Sequence, residues 1–102
     1  MDITAQELKE RLDKGEKVNL IDVREEYEFD EDNLGGQLYP LGSLPSQIDD
    51  LEDLRDDEII IYCRSGARSG RAQQFLEQNG FSNVRNLIGG ILAYRENERK
   101  AQ

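Results

Sequence analysis

The chain contains no histidine and only one cysteine in 102 residues. The missing histidine excludes zinc sites of the Cys/His kind and rules out Cys-His and Ser-His catalysis. A single cysteine cannot close an internal disulfide, so the fold is not a stapled secreted scaffold. Positive charge is scarce as well: 13 Lys and Arg stand against 22 Asp and Glu, a net charge of −9. That balance argues against a nucleic-acid backbone or an anionic membrane as partner. No stretch approaches the roughly 18 to 20 apolar residues of a membrane span. The opening MDITAQELKERLDKG is polar and amphipathic, with no apolar signal region, so a cytoplasmic location is the default expectation. No cofactor and no metal are expected.

What remains suits one compact domain over residues 1–102, with modest apolar content (36%) and high charge (34%). Thr4 and Glu7 form a capping box, Ala5, Leu8 and Leu12 recur at helical spacing, and Gly15 stops the helix. VNLIDV (18–23) predicts a strand, REEYEF a single helical turn, and 30–42 a loop with room for a brief strand at Gln37–Tyr39. Pro45 suits the first turn of a helix with Leu44, Ile48, Leu51 and Leu54 on one face. IIIY (59–62) is a continuous apolar run, expected of a strand covered on both faces. Residues 66–79 predict a helix with Ala72, Phe75 and Leu76 facing inward. NVRNL (83–87) predicts a strand, and a closing helix follows Gly89-Gly90. Strands alternating with helices give an α/β class with a mainly parallel sheet.

The cysteine stands where the strand IIIY ends and CRSGARS begins. Ligands of open α/β sheets bind beyond the carboxyl ends of strands, which is where Cys63 falls. The loop feeds a helix N-terminus whose first amides lack intrahelical partners. Those amides, the helix dipole and nearby Arg64, Arg68 and Arg71 all stabilise negative charge on the sulfur. Gly66 has no Cβ, so the backbone can curl there and present its amides to an anion. A free cysteine at a strand end is commonly just a small hydrophobe; three arginines, a glycine and a helix start next to it favour chemistry. Arg71 also fits the solvent face of the helix.

Four segments in order, ITAQEL, LIDVREEYEF (20–29), IIIYCRSGARS (59–69) and LEQNGFSNVRNLIGGILAY (76–94), resemble single-domain rhodaneses, a sulfurtransferase family. The resemblance covers nearly the whole length. It implies a five-stranded, mostly parallel sheet with helices on both faces. It also implies that Cys63 takes a sulfane sulfur from a small anionic donor such as thiosulfate and passes it to an external thiol or protein acceptor. On this pattern Arg64, Ser65, Gly66, Ala67, Arg68 and Ser69 form the substrate-binding loop. Arg64 would attract the donor, and Arg68 would bind the anion or organise the loop. Asp22 and Arg24 match the family's Asp-Val-Arg segment, with Asp22 expected to buttress the loop by hydrogen bonding; an ordinary ion pair is the competing reading. The sequence departs from the family where Gly-His-Ile-Pro-Gly-Ala often occurs, since DNLGGQLYPLG stands there instead, and Tyr94 replaces a frequent tryptophan.

Three rivals share parts of this pattern. Phosphatases with a similar loop need one more residue, whereas four residues separate Cys63 from Arg68 here. A binding module without chemistry would have no need of the cysteine. A persulfide carrier that never turns over uses the same residues as the enzyme. With no second cysteine to resolve a persulfide, the acceptor must be external.

Overall fold

The apolar run at 59–62 becomes the centre of the sheet. In the computed structural model, which describes residues 1–101, β3 (Glu58–Tyr62) lies between β1 (Leu20–Asp22) and β4 (Asn83–Asn86), and β2 (Gln37–Leu38) pairs with the far side of β1. Every pairing is parallel, with Ile21 opposite Ile61 and Ile61 opposite Asn86. The class expected from the alternation of elements is the one observed.

Side chains alternate across the pleat, so β3 feeds two cores at once. Ile59, Ile61 and Cys63 pack on one face with Leu44, Leu51, Ala72 and Leu76. Ile60 and Tyr62 pack on the other with Leu8, Leu87, Ile91 and Tyr94. The first face is covered by α3 (Leu44–Gln47), the turns after it, and α4 (Ala67–Gln78); the second by α1 (Ala5–Asp13) and α5 (Gly90–Lys100). All three isoleucines of β3 are fully buried, each contributing roughly 1.5–3 kcal/mol through apolar burial.

The expected fifth strand is reduced to one bridge. The Ile3 amide donates to Asn86 O (3.0 Å) and the Ile88 amide donates to Ile3 O (2.9 Å), pairing Ile3 in parallel with Leu87. The cause lies next door: the Thr4 hydroxyl accepts from the Glu7 amide (3.1 Å) and caps α1. The chain turns helical before a second residue can pair.

The predicted helix over 44–54 is also shorter. Only Leu44–Gln47 is α-helical, and Ile48–Leu54 continues as 3₁₀ turns. Ile48, Leu51 and Leu54 recur every third residue, which aligns them on a 3₁₀ turn. By contrast α2 (Glu26–Glu31) outruns the single turn expected, because Glu25 and Glu28 close a reciprocal capping box.

Candidate active site

Cys63 follows the last residue of β3 and is 1% exposed. Its carbonyl accepts from the Ile91 amide (2.9 Å), and the Arg64 carbonyl accepts from the Leu92 amide (3.2 Å). The first turn of α5 thus holds the loop's carbonyls outward, leaving the following amides to face the sulfur. Gly66 caps α4 with φ +110°, a left-handed turn suited to glycine, and its amide donates to Cys63 Sγ at 3.1 Å. The contact with α5 requires glycine at position 90. Its φ is +63°, and an added Cβ would come within 2.5 Å of the Cys63 carbonyl oxygen.

Burial pushes the Cys63 thiol up, but hydrogen bonds from the Ser69 hydroxyl and from the amides of Ser69, Gly66 and Ser65 outweigh it. The thiol is left more acidic than an ordinary cysteine. Of the expected loop residues, Ser65, Gly66 and Ser69 turn donors toward the sulfur, with Ser69 fully buried and its hydroxyl 3.3 Å from Sγ. Arg64, Ser65 and Ala67 are exposed at the rim. Arg71 is exposed on the solvent side of α4.

Arg68 is not an open cation. Its guanidinium grips Glu28 of α2 through two hydrogen bonds, Nη1 to Oε1 at 2.6 Å and Nη2 to Oε2 at 2.9 Å. This bidentate pair is the main cause that holds the Glu28 carboxyl down to about 2. The same carboxylate accepts from the Glu25 amide (3.0 Å), so it closes the cap of α2 and anchors the cysteine loop together. Among the described residues, Arg64 and Arg71 form no ion pair, so the cationic surroundings of the loop are thinner than the sequence suggested.

Asp22 does not buttress the loop. Its carboxylate accepts from the Arg24 amide (2.9 Å) and from Arg24 Nε and Nη2 (3.0 and 2.7 Å). Both residues are buried, at 0% and 4% exposure. Arg24 also donates to the Asp32 carbonyl (2.7 Å) and lies 5.6 Å from the centre of the Tyr62 ring. The pair therefore fixes the segment carrying α2, and neither residue forms a hydrogen bond with Cys63 or the loop after it. In the segment that departs from the family, Asn33 provides the support: its Oδ1 accepts from the Gly35 amide (2.8 Å) and its Nδ2 donates to Phe29 O (2.9 Å). Tyr94 is buried on the core-facing side of α5.

Three residues of the site escaped the sequence reading: Glu28, Asn86 and Gly90. Glu28 sat in an acidic run with nothing to distinguish it from its neighbours. Asn86, at the end of β4, reaches Gly66 O with Nδ2 (3.1 Å) and lies 2.6 Å from Ser69 Oγ through Oδ1. The Gly89-Gly90 pair was visible, but its contact with the cysteine loop was not.

Comparison with known proteins agrees with this geometry. The model of the rhodanese-like domain family matches residues 4–97. The chain belongs to that family. It is 36% identical over 94 residues to a protein of Allochromatium vinosum named a sulfurtransferase, covering 91% of this chain and 86% of that one. It is 40% identical over 94 residues to part of a Mycobacterium tuberculosis protein named a probable adenylyltransferase/sulfurtransferase, of which it spans only 24%. Among solved structures, the human single-domain sulfurtransferase TSTD1 superposes with a TM-score of 0.76 at 27% identity, covering 97% of this chain and 96% of that one. No helix among the described residues is long and apolar enough to cross a membrane.

Proposed function

We propose that this protein is a sulfurtransferase in which Cys63 carries the sulfur as a persulfide. The observation behind the reading is the placement of one acidified thiol at a strand end, with the Gly66 amide 3.1 Å from its sulfur at the start of α4. The naming of the Allochromatium vinosum and human relatives supports the same reaction class. The donor we assign is a small anion such as thiosulfate, drawn in by the exposed cation of Arg64. The Cys63 thiolate attacks the outer sulfur, the sulfur–sulfur bond of the donor breaks, and sulfite leaves with the electron pair. The persulfide anion is then held by the curled amides of residues 65–69. An external thiolate, or cyanide, attacks the outer sulfur and expels Cys63 as thiolate, which restores the site. Arg68, tied to Glu28, organises the loop.

A carrier that exchanges sulfur only with other proteins is the second reading. It is favoured by the Arg68–Glu28 pair, which leaves few free cations to attract a small anion.

Intact-protein mass spectrometry separates these outcomes. Incubation with thiosulfate should add the mass of one sulfur atom on Cys63, and cyanide or a small thiol should remove it. Loading by a persulfide donor but not by thiosulfate would favour the carrier. A Cys63→Ser variant should fold yet take up nothing. A parent left unmodified by every donor would end the sulfurtransferase reading.

A further inference from the structure

The hydroxyl of Ser69 has one proton and three acceptors around it: Asn86 Oδ1 at 2.6 Å, Cys63 Sγ at 3.3 Å and Gly66 O at 3.3 Å. We propose that Asn86 is a positioning residue for Cys63: it takes the Ser69 proton while the sulfur is a neutral thiol and yields it when the sulfur becomes an anion.

The orientation of the Asn86 amide is fixed by its other end. Gly66 O can only accept, so the Nδ2 side must face it at 3.1 Å, and Oδ1 is thereby turned to Ser69. At 2.6 Å the Ser69–Asn86 contact is a short O–H···O hydrogen bond, and an amide oxygen is a stronger acceptor than the sulfur of a neutral thiol, so the proton belongs to Asn86 in the resting site. Ser69 then turns a lone pair toward Sγ, which suits a thiol S–H and not a thiolate. Once the sulfur loses its proton to solvent, or becomes a persulfide anion, a hydrogen bond to charged sulfur outweighs one to a neutral amide oxygen. The hydroxyl rotates and gives up Asn86. The only covalent change in the ionisation is the S–H bond, whose proton goes to solvent; the rest is an exchange of hydrogen bonds. Asn86 holds this place because it ends β4, opposite Ile61 and two residues short of the cysteine's level on β3.

The remaining charges facing the site are fixed pairs or lie at its rim. Arg68 of α4 is bound to Glu28 of α2, with Tyr27 beside it. The Asp22–Arg24 pair closes the end of β1. Arg64 is exposed in the loop, Asp2 accepts from the Asn86 backbone amide (3.2 Å), and the first turn of α5 carries no acidic residue. Asn86 is thus poised to tune the thiol without contributing charge. The consequence has a definite sign: removing its oxygen frees the Ser69 proton for the sulfur and makes Cys63 more acidic. If Asn86 merely anchored the loop, losing it would loosen the amides and make Cys63 less acidic. The loop keeps its other holds, since Gly66 O also accepts from the Gly70 amide (2.9 Å) and α5 binds the carbonyls of Cys63 and Arg64.

The proposal rests on Cys63 being the reactive sulfur of the proposed transfer, but its test needs no sulfur donor. Iodoacetamide alkylation of the full chain, followed against pH, reports this single cysteine. Asn86→Ala and Asn86→Ser should both move the inflection to lower pH, with alkylation about threefold faster on its acid side, the size expected of one hydrogen bond. In a Ser69→Ala background the same substitutions should change nothing. In the parent, the side-chain carbonyl resonance of Asn86 should shift with the midpoint of the Cys63 titration, and in Ser69→Ala it should stay still. An inflection that rises or does not move, or an Asn86 resonance blind to the cysteine even where the variants fail to fold, would overturn the proposal. Absence of sulfur uptake would count against the proposed function and leave this one standing.

Discussion

Glu28 and Arg68 stand 40 residues apart in the chain and meet through two hydrogen bonds of 2.6 and 2.9 Å at the edge of the cysteine loop. The contact ties the helix that follows β1 to the helix that follows β3, so one ion pair both positions Arg68 and offsets its charge. Replacing either partner tests these two roles separately. Glu28→Gln and Arg68→Ala should each lower stability by about 1 kcal/mol. Their effects on the thiol should be opposite: Glu28→Gln leaves an uncompensated cation and makes Cys63 more acidic, whereas Arg68→Ala removes the cation and makes it less so. Denaturant titration and alkylation against pH, run on both variants, check the pattern; a common direction of thiol shift would contradict it.

Acid should unfold the protein within a window these pairs define. Glu28, held mainly by Arg68, and Glu58, held mainly by Arg11 with Arg85 helping, are both lowered from the usual 4.5 to about 2. The unfolded chain takes up their protons first, so their contribution is complete above 4.5 and is lost as pH falls through about 2. Thermal melts between those limits should show stability declining steadily for the parent. The decline should be shallower in Glu58→Gln, which starts less stable but has one fewer carboxylate to protonate.

The Asp22–Arg24 pair is buried, and breaking it should be costly. Asp22→Ala strands the guanidinium of a residue only 4% exposed, a loss of about 3–5 kcal/mol. Cys63 should be affected less than by Arg68→Ala, because no hydrogen bond joins Asp22 to the 63–69 loop. Urea denaturation measures the first effect. Alkylation of the folded fraction measures the second, and a thiol as perturbed as in Arg68→Ala would place Asp22 nearer the sulfur than its bonds do.

Gly90 should not tolerate a methyl group. Alanine there would meet the carbonyls of Cys63 and Arg64 and would have to adopt φ +63°. Gly90→Ala should cost at least about 2 kcal/mol and displace the loop, slowing sulfur loading beyond what the lost stability explains. A melt with a loading assay below the transition decides it.

Arg64 is exposed and forms no ion pair among the described residues. Arg64→Ala should therefore slow loading from thiosulfate while leaving folding intact, and the difference from the parent should shrink as salt screens the charge. Equal rates at low salt would remove Arg64 from donor binding.

Much of this was legible from local pattern. The run IIIY specified a two-faced strand because four apolar residues in succession leave no solvent side. Glycine, arginine and a helical period after Cys63 specified a strand, a loop and a helix start, hence an anion-binding position for the sulfur. The spacing of Thr4 and Glu7 located the start of α1. The same cap also removed all but one residue of the fifth strand, a competition between helix and ladder that pattern alone does not resolve.

What tertiary structure decided was which charges and amides meet. Six acidic residues lie between Glu25 and Asp32, and nothing in their order marks Glu28; only the packing of α2 beside α4 selects it. Asp22 was expected to support the loop because it matches the family's Asp-Val-Arg segment, yet Arg24, two residues away, holds its carboxylate. Asn86 and Gly90 touch the cysteine loop because β4 and α5 return alongside β3, contacts separated by 17 to 27 residues of chain. The sequence by itself determined the strand, the turn and the acidic helix that make a thiolate site possible, since these follow from short-range sterics and periodicity. Partner choice around the sulfur follows from the fold, because ion pairs and shared protons depend on distances that only packing sets.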